Sequence, residues 1–517
     1  RDGVRAQLLY APDDGVRLRL IADYQRARAR PAYVLAGSYP VDGVDLFRAR
    51  LDRVGAHARA GQVDQDDESR TLTTQGGVSA DAEWTLHGGH RLRAVTALRY
   101  FGFAPHLADP LDIALYADSG ADVRDRTWSQ SLRLDSPAGA AFDYALGLDY
   151  FGENLDTFAH DHYAAGPQVT AWYGNTSNTG RFVQRWGRLD QDVLSAYAQG
   201  TWHLSPRMDL TAGTRVSYEH KTGSFRRLNK NDFDSGPLAQ DRWLPAALLN
   251  LRYRVSDTLQ VYASAAYGEK SGGLNVSSGA VARAGLDSLY LDPEHTRSAE
   301  FGLQGSWLDH RVELDAALFW TRISGFQTTA YDLESQSSYL INAGALRSRG
   351  IETTLSLRPW QGLTLGLNGT LLDARYLDFA DARCPPEIAL AAQAPAACDL
   401  TGERVFRSPR LTYTATARYE WPLHGADAFV AGRYAHRGWA YGTVDDSRFT
   451  RMPAYGLLAL SAGLRRDLGS HSWSATLWLD NVTDRRYYRT LAAGDYGSAY
   501  GVPGEPRTFG ASLEYRY

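Results

Sequence analysis

The chain has 517 residues and a formal net charge of -4, which is enough length for several ordinary domains or for one very large one. Its 44% hydrophobic and 22% charged residues are typical of a soluble protein, but also of a membrane-spanning β-barrel, because half of each barrel strand faces water. Charges of both signs are spread along the chain without a basic block, which argues against nucleic acid as a partner. No apolar run approaches the roughly 20 residues of a membrane-spanning helix.

Segments in which apolar and polar residues alternate recur from one end of the chain to the other. In VRLRLIADY, Val16, Leu18 and Leu20 share a face opposite Arg17 and Arg19. Segments of about ten residues, the length of a tilted membrane-spanning strand, are clearest at 5–11, 16–24, 209–219, 259–268, 312–322, 472–481 and 506–517. The sequence therefore predicts an all-β protein whose strands each have one apolar and one polar face.

The connections between these segments alternate between two lengths. Short turns are predicted near residues 12, 87, 136, 205, 256, 308, 361 and 468, and long polar loops at 28–67, 161–188, 271–293, 381–404 and 490–504. This alternation predicts about nineteen strands joined by about nine turns and nine loops. It is typical of an outer-membrane barrel, as is the abundance of Tyr and Trp, which favour a membrane interface.

Bacterial single-chain barrels have even strand numbers, so nineteen strands imply an odd number more. The chain opens on Arg1 without an initiator Met or a signal peptide. We therefore expect further strands before Arg1; three would give a 22-stranded barrel, which is wide enough to need a plug.

Five segments carry a resemblance to a known family. They are RTWSQSLRLDSP (126–137), YGEKSGGLN (267–275), PEHTRSAEFG (293–302), RSRGIETTLSLRP (347–359) and NVTDRRYY (481–488). The chain resembles the TonB-dependent outer-membrane receptors, in the branch that imports iron complexes. Ser131 departs from the pattern of that branch, where Glu is frequent.

The resemblance implies a transmembrane antiparallel β-barrel of the 22-stranded plugged type. All of residues 1–517 would then belong to the barrel domain, with the plug and the first strands preceding them. It also implies a monomeric transporter in the bacterial outer membrane, without enzymatic activity or a cofactor, that imports a ferric siderophore or a related chelate. Its further partners would be TonB, which would contact the missing N-terminal region, membrane lipid, and the barrel-assembly machinery, for which Tyr517 would be the signal.

Ligand sites of this family use aromatic and Arg side chains from loop apices, which stack on aryl groups and neutralise anionic chelates. Two segments, AWYGNTSNTGRFVQRWGR and RGWAYG, offer such side chains. The candidate ligand-binding residues are Trp172, Tyr173, Arg181, Phe182, Arg185, Trp186, Trp439 and Tyr441. Packing within the loops or in an interfacial aromatic belt is the alternative for each of them.

Cys384 and Cys398 are the two cysteines of the chain and lie in one predicted loop. A disulfide between them would need an oxidising compartment, and closing a loop of this size would stabilise the fold by roughly 3 kcal/mol. Two unpaired thiols are the alternative.

Other site chemistry receives weaker support. His160-Asp161-His162 is expected in a solvated loop, as are Asp66-Asp67 and Asp445-Asp446. NDFDSG from Asn231 lacks the Glu of a calcium loop, so a plain turn is expected, and FRSP at Phe406 lacks the companion motif of haem receptors. No catalytic motif is present, so an outer-membrane protease or lipase is a remote alternative. A passive porin, or a receptor for haem, vitamin B12 or an oligosaccharide, remains open.

Overall fold

A computed structural model describes residues 1–517 except 14, 31–33, 58, 62–68, 107–112, 138, 231, 277–284, 333–336 and 396. Nineteen long strands account for most of the described chain. They are β1 (Asp2–Asp13), β2 (Val16–Ala29), β3 (Arg70–Thr85), β4 (Arg91–His106), β5 (Tyr116–Asp135), β6 (Phe142–Tyr163), β7 (Phe182–Ser205), β8 (Met208–Leu228), β9 (Leu238–Ser256), β10 (Leu259–Lys270), β11 (Glu294–Trp307), β12 (Val312–Ser324), β13 (Ala345–Leu357), β14 (Leu363–Asp378), β15 (Leu411–Leu423), β16 (Ala426–Arg437), β17 (Tyr455–Asp467), β18 (Ser472–Asp480) and β19 (Thr508–Arg516).

Each long strand pairs antiparallel with the next one along the chain, so β1 to β19 form one continuous meander. The all-β prediction is confirmed, and the number of long strands agrees with the sequence count. Among the described residues β1 and β19 pair with no strand on their outer sides, and they form the two edges of the sheet. None of the helices in the described part of the chain has the length and hydrophobicity of a membrane span.

The register assigns each residue to a face, because residues directly opposite each other on paired strands point to the same side of a sheet. One face, here called the apolar face, carries exposed large hydrophobic side chains such as Leu98, Trp243 and Leu318. The other, the polar face, carries charged side chains such as Asp81 and Lys221. The predicted alternation therefore produces two chemically distinct surfaces.

The two ends of the strands also differ. At one end, the turn side, nine connections of two to six residues join the strands. At the other end, the loop side, nine connections of nine to 40 residues join the strands. These longer connections contain the short strands and the helices. These are strands Val34–Ser38, Phe233–Asp234, Gly273–Leu274, Tyr290–Leu291, Gln327–Asp332, Ser337–Asn342, Ala440–Tyr441, Arg451–Met452, Tyr488–Ala493 and Ser498–Pro503, with helices α1 (Leu46–Val54), α2 (Pro167–Tyr173) and α3 (Pro386–Ala389).

The first and last loops of the meander meet in a small sheet of their own. Strand Val34–Ser38, which follows β2, pairs antiparallel with Ser498–Pro503, which precedes β19, and Tyr488–Ala493 extends the sheet. We call this three-stranded sheet the clasp. The clasp therefore links the loop after β2 to the loop before β19, at the two ends of the meander.

Loops from distant strands pack together beside the clasp. Leu35, Phe47 and Leu51 form a buried cluster with Leu115 and Trp172, and Tyr496 of the last loop packs against it, so four loops share one hydrophobic core. In the loop after β14, Cys384 and Cys398 are joined by a disulfide. The loop side is thus a folded cap, whereas the turn side has only hairpin turns.

Candidate functional site

Four basic side chains gather on the loop side near the ends of β7 and β8. Arg185 on β7 and Arg227 on β8 are directly opposite each other on the polar face. Arg181 lies just before β7, and Lys230 lies just after β8. We call Arg181, Arg185, Arg227 and Lys230 the basic cluster.

Asp161 is the carboxylate that acts on Lys230, and it is outnumbered by cations. It accepts hydrogen bonds from Arg185 at 2.6 Å and from the Ser119 hydroxyl at 2.9 Å. Burial, together with the positive charges of Arg181, Arg185 and Arg227, lowers the pKa of Lys230 below its usual value, although Asp161 opposes the shift. An incoming anion would relieve this repulsion, so the cluster suits a negatively charged ligand.

Three tyrosines lie next to the basic cluster, of which Tyr163 is buried and Tyr116 and Tyr173 are partly buried. The rings of Tyr116 and Tyr163 are 5.0 Å apart, and Tyr173, at the end of α2, is 6.0 Å from Tyr163. The ammonium of Lys230 lies 6.0 Å from the centroid of the Tyr163 ring. Cations beside aromatic rings can receive a ligand that combines negative charge with aryl groups.

A second group surrounds Trp439 in the loop after β16. The guanidinium carbons of Arg404 and Arg451 each lie 4.6 Å from the centroid of the Trp439 ring, and Tyr441 packs edge-on against it at 5.5 Å. Within the described residues neither arginine forms an ion pair with a carboxylate. The group therefore presents two unneutralised guanidiniums on an aromatic platform.

The loop after β10 folds back along the polar face. Leu274 and Val276 pack with Phe225 and Leu238 in a buried cluster. Lys221 on β8 donates hydrogen bonds to the Ser271 hydroxyl at 2.8 Å and to the Gly272 carbonyl at 2.7 Å.

A buried ion pair fixes this arrangement. Lys221 and Glu219 lie 2.8 Å apart with side chains that are 7% and 4% exposed, and Ser271 also donates to Glu219. We call Glu219, Lys221 and Ser271 the latch.

Comparison with known proteins decides the family. The model of the family "TonB dependent receptor-like, beta-barrel" matches residues 5–482. The chain belongs to the TonB-dependent receptor β-barrel family. The resemblance found in the sequence is confirmed, and the polar face corresponds to the lumen of the family's barrel.

Several individual receptors are similar to this family member. The pesticin receptor of Yersinia pestis is 28% identical over 202 residues, which cover 39% of this chain and 28% of that protein. The ferric-pyoverdine M114 receptor PbuA of Pseudomonas sp. (strain M114) is 24% identical over 364 residues, or 68% of this chain and 39% of the relative. The chain thus spans well under two thirds of the length of these curated relatives.

Solved structures show the same fold. The ferric yersiniabactin uptake receptor FyuA from Yersinia pestis superposes with a TM-score of 0.77 at 19% identity, covering 99% of this chain and 70% of that one. The siderophore receptor PiuA from Acinetobacter baumannii gives a TM-score of 0.71 at 14% identity, covering 99% and 73%.

The predicted ligand residues of this TonB-dependent receptor β-barrel divide into four sets. Tyr173, Arg181 and Arg185 lie together at the basic cluster, and Trp439 and Tyr441 lie together in the second group. Trp172, which adjoins Tyr173, is buried against Phe47 and Tyr496. Phe182 and Trp186 lie on the apolar face, opposite to Arg185.

Two expectations about loop residues are wrong. His160, Asp161 and His162 lie on β6, not in a solvated loop, because the strand extends to Tyr163. Asp161 points to the polar face, whereas His160 and His162 point to the apolar face. In the described part of the chain no three His, Cys, Asp or Glu side chains are arranged to hold a metal ion.

Asp445 and Asp446 are likewise not solvated. Asp445 is 4% exposed, and burial raises its pKa. Neither carboxylate oxygen of Asp446 is accessible or has a hydrogen-bond partner; burial, with the charges of Glu403 and Asp445, raises its pKa to about 8. Asp66, Asp67 and Asn231 lie outside the described residues, and in the remainder of NDFDSG the strand Phe233–Asp234 pairs with β8.

Sequence reasoning missed Arg227, Lys230, Arg404 and Arg451. The one signal that Lys230 carried was its rarity, since the chain has three lysines. Arg227 becomes recognisable once the β7–β8 register is known, because it lies opposite Arg185. Arg404 and Arg451 meet Trp439 only through the folding of two long loops, which no local pattern encodes.

Proposed function

We propose that this protein is an outer-membrane active transporter that binds a ferric siderophore or a similar metal chelate at its extracellular loops and imports it into the periplasm. The observation that carries the proposal is the basic cluster, in which four cations surround one carboxylate beside three tyrosines on the loop side. Ferric siderophores with catecholate or phenolate arms are anionic and aromatic, and this surface complements both properties. Several of the similar proteins are receptors for ferric siderophores, which supports the same ligand class.

Tight capture of a scarce ligand requires energy for its release, which in this family TonB supplies. We propose that the complete protein is a monomeric 22-stranded barrel with a plug domain that contacts TonB. The sheet of β1 to β19 would then be completed by three strands between its two edges, and the barrel would have no free edge. Tyr517 would act as the signal for the barrel-assembly machinery.

A passive channel is the second candidate, because the loop after β10 folds onto the polar face as in pores that a loop constricts. Against this stands the width of the sheet, since porins have 16 to 18 strands in all. A receptor for haem, vitamin B12, an oligosaccharide or copper would share the same fold; a copper transporter is among the solved structures that are similar.

The test measures binding and uptake of radiolabelled ferric siderophores, among them ferric yersiniabactin and ferric pyoverdine. Three strains of iron-starved cells are compared. One carries the full-length protein, the second lacks its gene, and the third carries the protein but lacks TonB. The loss of binding energy is measured with Arg181→Gln/Lys230→Gln, and Arg311→Gln, in the turn between β11 and β12, is the matched control.

We expect uptake of at least one chelate to require both the protein and TonB, and binding to persist without TonB. Hydrogen bonds to charged groups contribute about 1.5–3 kcal/mol each, so the double variant should bind at least about tenfold more weakly while Arg311→Gln binds normally. Uptake that continues without TonB would contradict the active transporter and support the channel.

A further inference from the structure

Four arginines lie in a single row across the apolar face near the loop side. Arg297 on β11 is directly opposite Arg322 on β12, Arg322 opposite Arg347 on β13, and Arg347 opposite Arg375 on β14. We call these four residues the arginine row. Like charges directly opposite each other on neighbouring strands are destabilising, so a row of four requires compensation.

Protein carboxylates supply little of that compensation. Asp373 accepts from Arg375 at 2.9 Å, from Arg349 at 3.1 Å and from Arg347 at 3.3 Å. Three arginines thus share one carboxylate: Arg347 and Arg375 of the row, and Arg349, which lies beside it. Glu269, next to the row on β10, pairs with His295.

Two arginines of the row and part of a third remain without a partner. Arg297 and Arg322 are exposed, and within the described residues they form no ion pair and no hydrogen bond from their side chains. The Nε of Arg347 is buried and has no hydrogen-bond acceptor. These donors lie next to one another, because Arg322 is opposite both Arg297 and Arg347.

The row borders the apolar band of the sheet. Trp320 lies two residues from the row on the turn side. Four residues from the row, on the same side, the outward side chains are Phe301, Leu318 and Ile351, which are 44% to 52% exposed. A strand rises about 3.3 Å per residue, so the arginines lie roughly 13 Å from this apolar level. Trp is typical of a membrane interface, which places the row at headgroup height if the apolar band lies in hydrocarbon.

We propose that the arginine row binds the phosphate of a membrane-lipid headgroup in the leaflet on the loop side. Guanidinium groups bind phosphate with two parallel hydrogen bonds, and adjacent arginines can share one dianionic group. A phosphorylated lipid supplies the missing negative charge and the acceptor for Arg347, while its chains cover the apolar band. The inference rests on the proposed placement in the outer membrane.

The test uses the full-length protein purified in detergent and three probes. These are bis-phosphorylated lipid A, the same lipid after removal of both phosphates, and inorganic phosphate; binding is measured by native mass spectrometry and by titration. The test variant is Arg297→Gln/Arg322→Gln. The matched control is Arg188→Gln, because Arg188 also lies exposed on the apolar face near the loop side but pairs with Asp190 at 3.0 Å.

We expect the phosphorylated lipid to bind most tightly and the double variant to weaken it at least about tenfold, as for the loss of charge-assisted hydrogen bonds, while Arg188→Gln leaves it unchanged. The proposal is overturned if the dephosphorylated lipid or inorganic phosphate binds as tightly, or if both variants lose the lipid equally. Should the double variant not fold, Arg322→Gln alone gives the same comparison, because it removes no hydrogen bond of the described structure.

Uptake of ferric chelate is measured in parallel with the wild-type protein. If lipid binding depends on the arginines but no chelate is taken up, the lipid site is supported and the proposed transport function is contradicted. Chelate uptake without any dependence of lipid binding on phosphate would do the reverse.

Discussion

Burying a carboxyl group without a hydrogen-bond partner costs free energy unless the group becomes neutral. Asp446 is such a group, with two inaccessible oxygens in the loop after β16. Its pKa of about 8 lies far above the ordinary value of 3.8, so the protonated form predominates in the folded protein at neutral pH. Between these two values the folded chain holds a proton that the unfolded chain has released, and its stability therefore falls as the pH rises.

We predict that Asp446→Asn removes this pH dependence. From pH 5 to pH 9 the loop 438–454 of the wild-type protein should lose roughly 2 kcal/mol of protection, after allowance for the accessible part of the side chain, whereas the variant should not change. Hydrogen exchange measured by mass spectrometry at both pH values checks this. Asp399→Asn is the control, because a hydrogen bond from Thr401 lowers the pKa of Asp399 and its titration lies below this range. Equal pH dependence in wild type and Asp446→Asn would contradict the prediction.

At the scale of single residues, the sequence predicts which side chains could bind a ligand better than it predicts how deeply a side chain is buried. The aromatic and Arg character of 172–186 indicated a ligand surface, and Tyr173, Arg181 and Arg185 do lie beside Lys230. The burial of Asp446 could not be predicted, because adjacent aspartates in a polar loop are ordinarily solvated. The charge of Glu403, which also raises the pKa of Asp446, comes from the loop after β14. Phe182 and Trp186 lie on the other face because β7 begins at Phe182, four residues before Trp186, and even positions there point outward.

Among the elements, β8 carries a buried ion pair, Glu219 with Lys221, on its polar face. Removing one partner of such a pair is costly because the other charge is left buried, whereas removing both is often close to neutral. The latch holds the start of the loop after β10 against the strand through Ser271 and Gly272. The loop should therefore be disturbed more by one unmatched buried charge than by the absence of both charges.

We predict that Lys221→Met lowers the protection of residues 271–276 from hydrogen exchange by about 3 kcal/mol, the lower end of the range for a broken buried pair. Glu219→Gln/Lys221→Met should lose much less. The control is Lys270→Met: Lys270 pairs with Glu294 at 3.1 Å, but its side chain is 60% exposed, so about 1 kcal/mol or less is expected. The account would be refuted if residues 271–276 lost as much protection from hydrogen exchange in the double variant as in Lys221→Met.

The strands could be predicted because their signals are local. Each alternating segment specifies its own two faces, and the turns at 136, 205 and 256 fix which neighbours pair. The ends were less accurate: the loop predicted at 161–188 shrinks to 164–181, because β6 and β7 continue beyond the apolar band with polar residues on both faces. The inward fold of the loop after β10 had no sequence signal, since it packs against strands β7 to β9 and hydrogen-bonds to the loop after β12.

For the molecule as a whole, the clasp links the loop after β2 to the loop before β19. Ser38 lies directly opposite Ser498, and Tyr39 donates a backbone hydrogen bond to Gly497 at 3.0 Å. Opposed residues of antiparallel strands have Cα atoms about 4.5–5.5 Å apart, which suits a disulfide. Cysteines introduced here would have no other free thiol to pair with, because the two cysteines of the chain are already joined.

We predict that Ser38→Cys/Ser498→Cys forms a second disulfide in oxidised membranes. Because the new bond closes a very large loop, the protein should migrate as a more compact species on a denaturing gel until it is reduced. Each single variant is a control and should migrate like the wild type. Absence of the compact species, with both single variants folded, would show that the two loops do not meet in the membrane.

The clasp also has a consequence for the order in which the chain assembles. Its paired residues Ser38 and Ser498 are 460 positions apart, whereas neighbouring strands of the meander are joined by far shorter connections. Contacts between residues that are distant in sequence carry a large loop-closure cost and form late. Hairpins should thus form first and the clasp last, so a chain interrupted before Ser498 could still pair β1 to β18 but would leave the first loop without its partner strand.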